Sequence, residues 1–197
     1  MDSPHATPPP PGLAILGGSF DPPHVAHLLI ASYVLALGEV SRVLVVPAFE
    51  HAFGKPLSAF EERLELCRRC FRDLPGVEVS GLEADLPRPS YTVRLLERLL
   101  RDEPNRPLRL IIGSDVLDET EAWHDFPRVQ ALAPPLVLTR VGYERPGLGP
   151  AVLPDVSSTR VRSLLARRNE PDAARELSWL LPRRVLEHIA AANLYAR

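Results

Sequence analysis

The segment 13–27, LAILGGSFDPPHVAH, constrains the fold of this chain more than any other stretch of the sequence. Its apolar run Leu13–Leu16 is typical of a buried parallel strand, and Gly17-Gly18 ends that run with backbone that an anion can approach closely. Pro22-Pro23 lacks N–H groups and holds φ near the helical value, so a helix is expected to begin near His24. The sequence therefore predicts a strand, a Gly-rich turn and a helix N-terminus, an arrangement that suits a phosphate group.

His24 and His27 lie three residues apart, so both side chains are expected on one face of the first helical turn, beside the Gly-rich turn. Two imidazoles in that position can contact the same anionic ligand. An ordinary strand-to-helix turn with two partly exposed histidines is the alternative. We favour the functional interpretation because the turn, the helix start and both histidines coincide, and because a second motif follows far downstream.

Strand-like and helix-like stretches alternate along nearly the whole chain. After the first strand, the sequence predicts strands over 42–47, 77–79, 109–112, 135–139 and 151–153, and helices over 24–37, 58–74, 91–100, 158–168 and 182–191. This alternation predicts an α/β fold: a Rossmann-like, mainly parallel sheet with helices on both faces. The ligand site is then expected in the crevice beyond the carboxyl ends of the strands.

The composition favours a single folded domain. The chain has 197 residues, of which 45% are hydrophobic, and this is ample for one large core. We expect residues 13–197 to form that domain. Residues 1–12 begin MDSPHATPPPP and have no apolar periodicity, so they are predicted to be a disordered, Pro-rich leader.

The charge pattern and the hydropathy limit the partners. The net charge is −2, with 23 basic and 25 acidic residues interspersed, which gives no reason to expect a nucleic acid as partner. No apolar stretch approaches the roughly twenty residues that span a bilayer, and no signal peptide is recognisable. We therefore expect a cytoplasmic protein that binds small ligands and neither nucleic acid nor membrane. Nothing in the sequence indicates the oligomeric state.

Several motifs of other enzyme classes are missing from the sequence. It contains no GxGxxG dinucleotide fingerprint, no GxxxxGK[ST] loop, no GxSxG and no HExxH, which argues against dehydrogenases, P-loop kinases and GTPases, the usual hydrolases and zinc proteases. Cys67 and Cys70 form one CxxC inside a predicted helix, without a second ligand pair for zinc. We expect both to be free thiols.

A second motif, VSSTRVR over 156–162, lies more than a hundred residues after the first. The hydroxyls of Ser157, Ser158 and Thr159 suit a helix cap, which leaves backbone N–H groups free to face a phosphate chain. Arg162 would follow on the first turn, and its planar guanidinium matches phosphate oxygens. An N-capped surface helix with a solvated arginine is the alternative, and the first motif favours the phosphate-binding interpretation.

Together these motifs resemble those of a known enzyme family. GGSFDPPHVAH is similar to the GG(S/T)FDPxHxGH signature of the HxGH nucleotidyltransferases, and VSSTRVR is similar to their ISSTxxR motif. The resemblance is greatest to the bacterial nicotinate-nucleotide adenylyltransferases and covers residues 13 to about 195. It implies a single nucleotidyltransferase domain over 13–197.

The resemblance implies Mg²⁺-dependent adenylyl transfer, in which the phosphate of nicotinate mononucleotide attacks the α-phosphorus of ATP and pyrophosphate leaves. His24, His27 and Arg162 are then the catalytic residues, with His24 as an imidazolium beside the α-phosphoryl group and Arg162 on the β- and γ-phosphates. The Mg²⁺ ion is expected to arrive with ATP. The resemblance also implies a set of substrate-binding residues around ATP. The backbone of Gly17, Gly18, Ser19 and Phe20 forms a cradle, and Ser157, Ser158 and Thr159 contact phosphate. Asp21 is implied to orient a histidine or to contact metal-bound water.

A third matching segment, IGSD, ends at Asp115 and resembles the family's GxD…W segment. It implies that Gly113 and Asp115 bind substrate, with Asp115 accepting hydrogen bonds from ribose hydroxyls, and that Trp123 stacks on the pyridine ring. A half-buried core aromatic is the alternative for Trp123. The triplet SYT over 90–92 matches the family too and implies that Thr92 helps to frame the pyridine site, a plain helix cap being the alternative.

Two positions depart from the family pattern. Ala26 stands where most members have glycine, and its methyl group is expected to crowd backbone that lies against the nucleotide. The loop after the second strand reads PAFEHAFGKP in place of the family's PxxxPHK-like sequence, in which a lysine contacts phosphate, and Lys55 is the candidate to substitute for that lysine.

These departures leave two rivals open. One rival is another HxGH enzyme, such as phosphopantetheine adenylyltransferase or a cytidylyltransferase. Phosphopantetheine adenylyltransferases typically have threonine where His24 stands, and cytidylyltransferases have a different sequence at the second motif. A nucleotide-binding regulator that has lost turnover is the other, and it would bind ATP without releasing pyrophosphate.

Overall fold

The computed structural model describes residues 12–51 and 54–196, so most of the predicted leader lies outside the described residues. The strands are β1 (Leu13–Gly18), β2 (Arg42–Pro47), β3 (Val77–Val79), β4 (Leu108–Gly113) and β5 (Pro135–Leu138). The α-helices are α1 (Val25–Ala36), α2 (Phe60–Phe71), α3 (Thr92–Asp102), α4 (Phe126–Leu132), α5 (Ser158–Leu165), α6 (Pro171–Leu180) and α7 (Arg183–Ala191). Two 3₁₀ segments, Leu82–Asp85 and Ser114–Ala122, follow β3 and β4.

The five strands form one parallel sheet in the order β3-β2-β1-β4-β5. In the centre, Leu13 of β1 lies opposite Arg42 of β2 on one side and Leu108 of β4 on the other. The strand order changes direction between β1 and β4, and in such sheets a ligand crevice forms at this point beyond the carboxyl ends of the strands. The predicted α/β class and parallel sheet are therefore confirmed.

Helices cover both faces of this sheet, because the central strands bury alternate residues on opposite sides. Ala14 and Leu16 of β1 belong to a hydrophobic cluster formed with α1, α2, α5, α6 and α7. Leu13 and Ile15 belong to a second cluster, formed with α3 and α4. The prediction of helices on both faces is confirmed, and the sheet holds the turns after β1 and β4 side by side.

The structure corrects the prediction at three elements. Residues 151–153 do not form a strand; Leu153 makes a single parallel bridge to Arg140, and Pro154 follows without an N–H to continue a ladder. Helices α4 and α6 were not predicted. Each has a proline in its first turn, where proline is favourable. In a sequence, however, a proline is more readily interpreted as a residue that ends a helix.

Cys67 and Cys70 are free and buried in α2, as predicted, and burial raises the pKa of both thiols, that of Cys70 to about 12. No described helix is long and apolar enough to cross a membrane. The expected cytoplasmic location stays a prediction.

Candidate active site

The Gly-rich turn joins β1 to α1 at the carboxyl edge of the sheet. Phe20 adopts φ of +47°, and its buried ring packs against Phe71 of α2 and His27 of α1. Asp21 and His24 are each only 4% exposed, although both are polar. The turn is therefore anchored by an aromatic ring beneath it, with its polar groups enclosed rather than solvated.

The two histidines of the first motif lie against each other, as their spacing predicts. Their rings stack with centroids 3.9 Å apart, and the backbone N–H of His24 donates to Nδ1 of His27 over 3.1 Å. His27 therefore carries its proton on Nε2. Nδ1 of His24 is buried and has no hydrogen-bond partner among the described protein atoms, so it is a polar atom left for a ligand.

Both imidazoles are neutral at neutral pH in this arrangement. Burial, followed by the charge of Arg140, lowers the pKa of His24 to about 4. Burial, followed by His24 and Arg140, also lowers the pKa of His27. The imidazolium expected at His24 thus requires additional negative charge beside the ring, such as that of a nucleotide's phosphates.

The second motif meets the first at the same edge of the sheet. Ser158 Oγ donates to the carbonyl of Pro22 over 2.9 Å, and the Arg162 guanidinium donates to the carbonyl of Asp21 over 2.5 Å. These contacts join segments 136 and 141 residues apart in sequence. This geometry agrees with the prediction that the two motifs converge at the carboxyl ends of the strands.

Within the second motif, each hydroxyl has a distinct position. Ser157 caps α5 and accepts the N–H of Arg160 through its side chain, over 3.2 Å. Thr159 Oγ1 accepts a hydrogen bond from the Arg162 guanidinium over 3.3 Å. The capping role proposed by the alternative interpretation is real for Ser157, whereas Ser158 and Arg162 point to the Gly-rich turn.

The Asp21 carboxylate accepts hydrogen bonds from two distant segments of the chain. Its Oδ1 accepts the hydroxyl of Tyr195 over 2.7 Å, and its Oδ2 accepts the backbone N–H of Ser58 over 3.1 Å. The carboxylate is thus held by the C-terminal segment and by the residues before α2, and among the described residues it accepts no hydrogen bond from His24 or His27. The expected role of Asp21 in orienting a histidine or contacting metal-bound water stays a prediction. Its direct role is to fix the turn.

Arg63 of α2 is fully buried, and sequence reasoning missed it. Its guanidinium donates to four main-chain carbonyls, at 2.8 to 3.1 Å, which belong to Ser19, Ala48, Phe49 and Ser58. Burial lowers the pKa of this guanidinium, and the Asp21 carboxylate makes the largest opposing contribution. The only sequence signal was an arginine among the apolar positions of an amphipathic helix, where a buried charge needs several partners.

Arg140, two residues beyond β5, was also missed. It donates to Asp115 Oδ2 over 2.7 Å and to the carbonyl of Val156 over 2.8 Å, and its backbone N–H donates to Ser114 Oγ over 2.9 Å. It therefore ties the loop after β4 to the second motif. A cation just past the carboxyl end of a parallel strand is the signal that could have identified it.

The GxD segment follows β4, as predicted. A Cβ added to Gly113 would lie 2.3 Å from Asp115 Oδ1, so glycine is needed there for this position of the carboxylate. Asp115 is half-buried, and one of its oxygens is paired with Arg140. Its other oxygen, Oδ1, is the one that can accept a hydroxyl of a ligand.

The aromatic residues of the third segment line the adjoining loops. Tyr91 stacks on His124 with centroids 4.2 Å apart, and Trp123 packs edge-on against Phe126 at 5.7 Å. Trp123 is half-buried against the second cluster, which agrees with both interpretations of this residue. Thr92 is the first residue of α3, and the side chain of the N-cap residue Tyr91 makes no capping hydrogen bond.

The two departures from the family pattern have different outcomes. Ala26 is buried and belongs to the first hydrophobic cluster, and the expected crowding of backbone that lies against the nucleotide stays a prediction. Lys55 is exposed in the loop before α2, next to residues outside the described range.

Comparison with known proteins first defines the class of protein to which this chain belongs. The cytidylyltransferase-like family model matches residues 15–164, which include both motifs and the sheet. A Plasmodium falciparum nicotinic acid mononucleotide adenylyltransferase, solved in complex with NaAD, superposes with a TM-score of 0.80 at 18% identity, covering 94% of this chain and 98% of that one. The same enzyme in complex with APC gives a TM-score of 0.77. The chain thus has the fold of these enzymes and belongs to the cytidylyltransferase-like family.

Sequence relatives define the branch. A protein of Anaeromyxobacter sp. (strain K), named "Probable nicotinate-nucleotide adenylyltransferase", is 45% identical over 186 residues, covering 93% of this chain and 96% of the relative. A Myxococcus xanthus protein of the same name is 39% identical, covering 93% and 94%. The chain therefore belongs to the nicotinate-nucleotide adenylyltransferase family.

Proposed function

We propose that this protein transfers the adenylyl group of ATP to nicotinate mononucleotide, forming nicotinate adenine dinucleotide and pyrophosphate in NAD biosynthesis. The observation that carries this proposal is the convergence of the two motifs, with Arg162 and Ser158 bonded to the main chain of the Gly-rich turn. The convergence places a guanidinium, two imidazoles and a helix N-terminus around one edge of the sheet. That set of groups suits a polyphosphate.

In the proposed reaction, an oxygen of the mononucleotide phosphate attacks the α-phosphorus of ATP. The bond from that phosphorus to the bridging oxygen breaks, and the electron pair leaves with pyrophosphate. The nucleophile is already an anion, so no general base is needed, and the protein acts by aligning two repelling phosphates and by neutralising charge.

The residues divide this work according to their positions. We assign the triphosphate to the backbone of Gly17, Gly18, Ser19 and Phe20, with His24 and His27 at the α-phosphoryl group and Arg162 at the β- and γ-phosphates. Because the histidines are buried and uncharged, each can donate an N–H group to a phosphate oxygen. Each can also gain a proton when the negative charge of the phosphates approaches the ring. Arg162 needs only to exchange the carbonyl of Asp21 for a phosphate oxygen.

The metal ion in this proposal is Mg²⁺ brought by ATP. Among residues 12–51 and 54–196, no group of three or more His, Cys, Asp or Glu side chains could hold a metal ion. Both oxygens of Asp21 already accept protein hydrogen bonds. These residues fit an ion held by the nucleotide phosphates and water, which would add positive charge at the departing pyrophosphate.

For the acceptor, we assign the ribose to Asp115 and Gly113 and the pyridine ring to Trp123, with Thr92 at the border of the same pocket. Trp123 is only half-buried, and its ring stands nearly perpendicular to that of Phe126 rather than stacked on it. We expect the exposed part of the indole to offer surface to a planar ring. We expect these groups to decide between the acid and the amide of the pyridine nucleotide.

A panel of acceptors tests the proposal. Pyrophosphate release is measured with ATP and Mg²⁺ in the presence of nicotinate mononucleotide, nicotinamide mononucleotide or phosphopantetheine. We expect release with the first and far less with the other two. Release mainly with phosphopantetheine would move the protein to that sister activity.

The regulator alternative has a distinct signature. A nucleotide-binding protein without turnover would bind ATP in calorimetry and release no pyrophosphate with any acceptor. The presence of both histidines and of Arg162, the groups that face charge in the transfer, weighs against this alternative. The variant Ala26→Gly is the control, and we expect it to change turnover by less than about threefold.

A further inference from the structure

Asp21 is the point at which four segments distant in sequence meet. It lies in the Gly-rich turn, its carboxylate accepts from Ser58 and from Tyr195, and its main-chain carbonyl accepts from Arg162. A buried carboxylate needs such donors, because removal from water disfavours its charge. The position of the turn that carries the histidines therefore depends on groups outside the turn.

The C-terminal segment 192–196 is shaped to bring Tyr195 to this carboxylate. Asn193 and Tyr195 adopt φ of +51° and +56°, a left-handed conformation that asparagine tolerates and that is costly for tyrosine. Arg168 holds the segment by donating to the carbonyl of Leu194 over 3.0 Å and to the side-chain oxygen of Asn193 over 2.6 Å. Such strain persists only where surrounding contacts enforce it, so this end of the chain is built into the fold.

The Tyr195 hydroxyl is a permanent donor in this position. Its ring packs against the first hydrophobic cluster, while its oxygen reaches Asp21 Oδ1 at 2.7 Å. Burial and the Asp21 carboxylate raise the pKa of the phenol above its usual range, so it stays protonated. Replacing tyrosine by phenylalanine keeps the packing and removes the hydroxyl, with its hydrogen bonds to Asp21 and to the side chain of Ser58.

We propose that Tyr195 is a positioning residue for adenylyl transfer: its hydroxyl fixes the Asp21 carboxylate and thereby the turn that binds ATP. The inference rests on the proposed function and adds the C-terminal segment to its machinery. Tyr195 acts through Asp21, whose carbonyl meets Arg162 and whose chain leads directly into His24. The aromatic residues assigned to the mononucleotide lie on other loops, so the loss of the hydroxyl should affect ATP and spare the acceptor.

The test compares Tyr195→Phe with Tyr33→Phe in the full-length chain. Tyr33 is an exposed phenol on α1 and serves as the matched control. We expect Tyr195→Phe to raise KM for ATP about tenfold, the scale of one hydrogen bond to a charged group, with KM for nicotinate mononucleotide within about twofold of the parent. Tyr33→Phe should leave both values unchanged.

A second variant connects the effect to Asp21. In an Asp21→Ala background, which lacks both carboxylate oxygens, adding Tyr195→Phe should change KM for ATP by less than about twofold. A full, additive effect in that background would show that Tyr195 does not act through the carboxylate. Equal rises in both KM values, in proportion to a fall in Tm, would reduce Tyr195 to a general structural role.

Failure of this inference is distinguishable from failure of the proposed function. Calorimetry of ATP binding gives a readout without turnover, and there too Tyr195→Phe should weaken affinity about tenfold. A parent protein that binds ATP but transfers no adenylyl group would overturn the function alone. Parent and variant with equal ATP affinity and equal KM for ATP would overturn the role of Tyr195.

Discussion

The two halves of the candidate site are built by different forces. The Gly-rich half comprises 17–27, 157–162, Arg63 and Tyr195, and the two hydrogen bonds to the Asp21 carboxylate alone join residues 37 and 174 positions apart. The aromatic half comprises 90–92 and 113–124, and ring contacts such as Tyr91 on His124 dominate it. Directed bonds between distant segments fix charged groups in advance, whereas ring contacts leave an apolar surface that tolerates small shifts.

Arg140 is the bridge between these halves. It pairs with Asp115 on the aromatic side and with the carbonyl of Val156 on the other, and its charge adds to the effect of burial in lowering the pKa of both histidines. The comparison predicts that substitutions in the Gly-rich half affect folding and turnover, and that those in the aromatic half affect acceptor affinity.

The largest effect is expected at Arg63. Arg63→Met removes the hydrogen bonds to four main-chain carbonyls and leaves the Asp21 carboxylate without its compensating charge. We expect the free energy of unfolding to fall by about 3–5 kcal/mol, measured by urea denaturation. Arg68→Met, on the exposed side of the same helix, is the control and should stay within about 0.5 kcal/mol of the parent. Equal midpoints for Arg63→Met and the control would contradict this role of Arg63.

Turnover is expected to fall next most severely at the phosphate contacts. Arg162→Ala and His24→Ala should each lower kcat by about a hundredfold or more, the scale of losing a preorganised charge contact. Arg160→Ala is the matched control, because Arg160 lies on the same helix and pairs with Glu176. Activity within a few fold of the parent would remove the tested residue from the site.

The buried histidines make stability depend on pH. The pKa of His24 is about 4 in the folded chain, against 6.5 for an ordinary histidine, so the unfolded chain binds more protons between these values. Stability is then full above pH 6.5 and falls as the pH is lowered through this window, by about 2 kcal/mol between pH 7.5 and pH 5 for His24 alone. Urea denaturation of the parent and of His24→Asn at both pH values measures this, and an identical fall in the two proteins would refute it.

The smallest effect is expected in the aromatic half. Trp123→Ala should raise KM for nicotinate mononucleotide on the order of tenfold and leave KM for ATP within about twofold, because one stacking contact is lost. Trp179→Ala is the control, since Trp179 is 63% exposed on α6. A larger change in KM for ATP than for the mononucleotide would break the division between the halves.

Sequence reasoning succeeded where the signal is local. The strand, Gly-rich turn and helix start over 13–27 were predictable because strand burial, turn glycines and prolines each act within a few residues. The strand expected over 151–153 and the missed helices α4 and α6 are short elements, for which local preference is weak and packing decides.

The site shows the same division at the level of single residues. His24, His27, Ser158 and Arg162 were identifiable from motif spacing, and the structure brings them to one edge of the sheet. Arg63 and Arg140 were not, because nothing in the residues beside them indicates which carbonyls or carboxylates they will meet.

The sequence by itself determined the chemistry of this protein: a phosphate-binding turn, paired histidines and a second phosphate motif on a parallel α/β frame. Tertiary structure alone decided how that turn is held, with Arg63 beneath it and Tyr195 reaching Asp21 from 174 residues away. The physical reason is range. Turn and capping preferences depend on neighbouring residues, whereas the partner of a buried charge depends on which distant segments the packed core brings into contact.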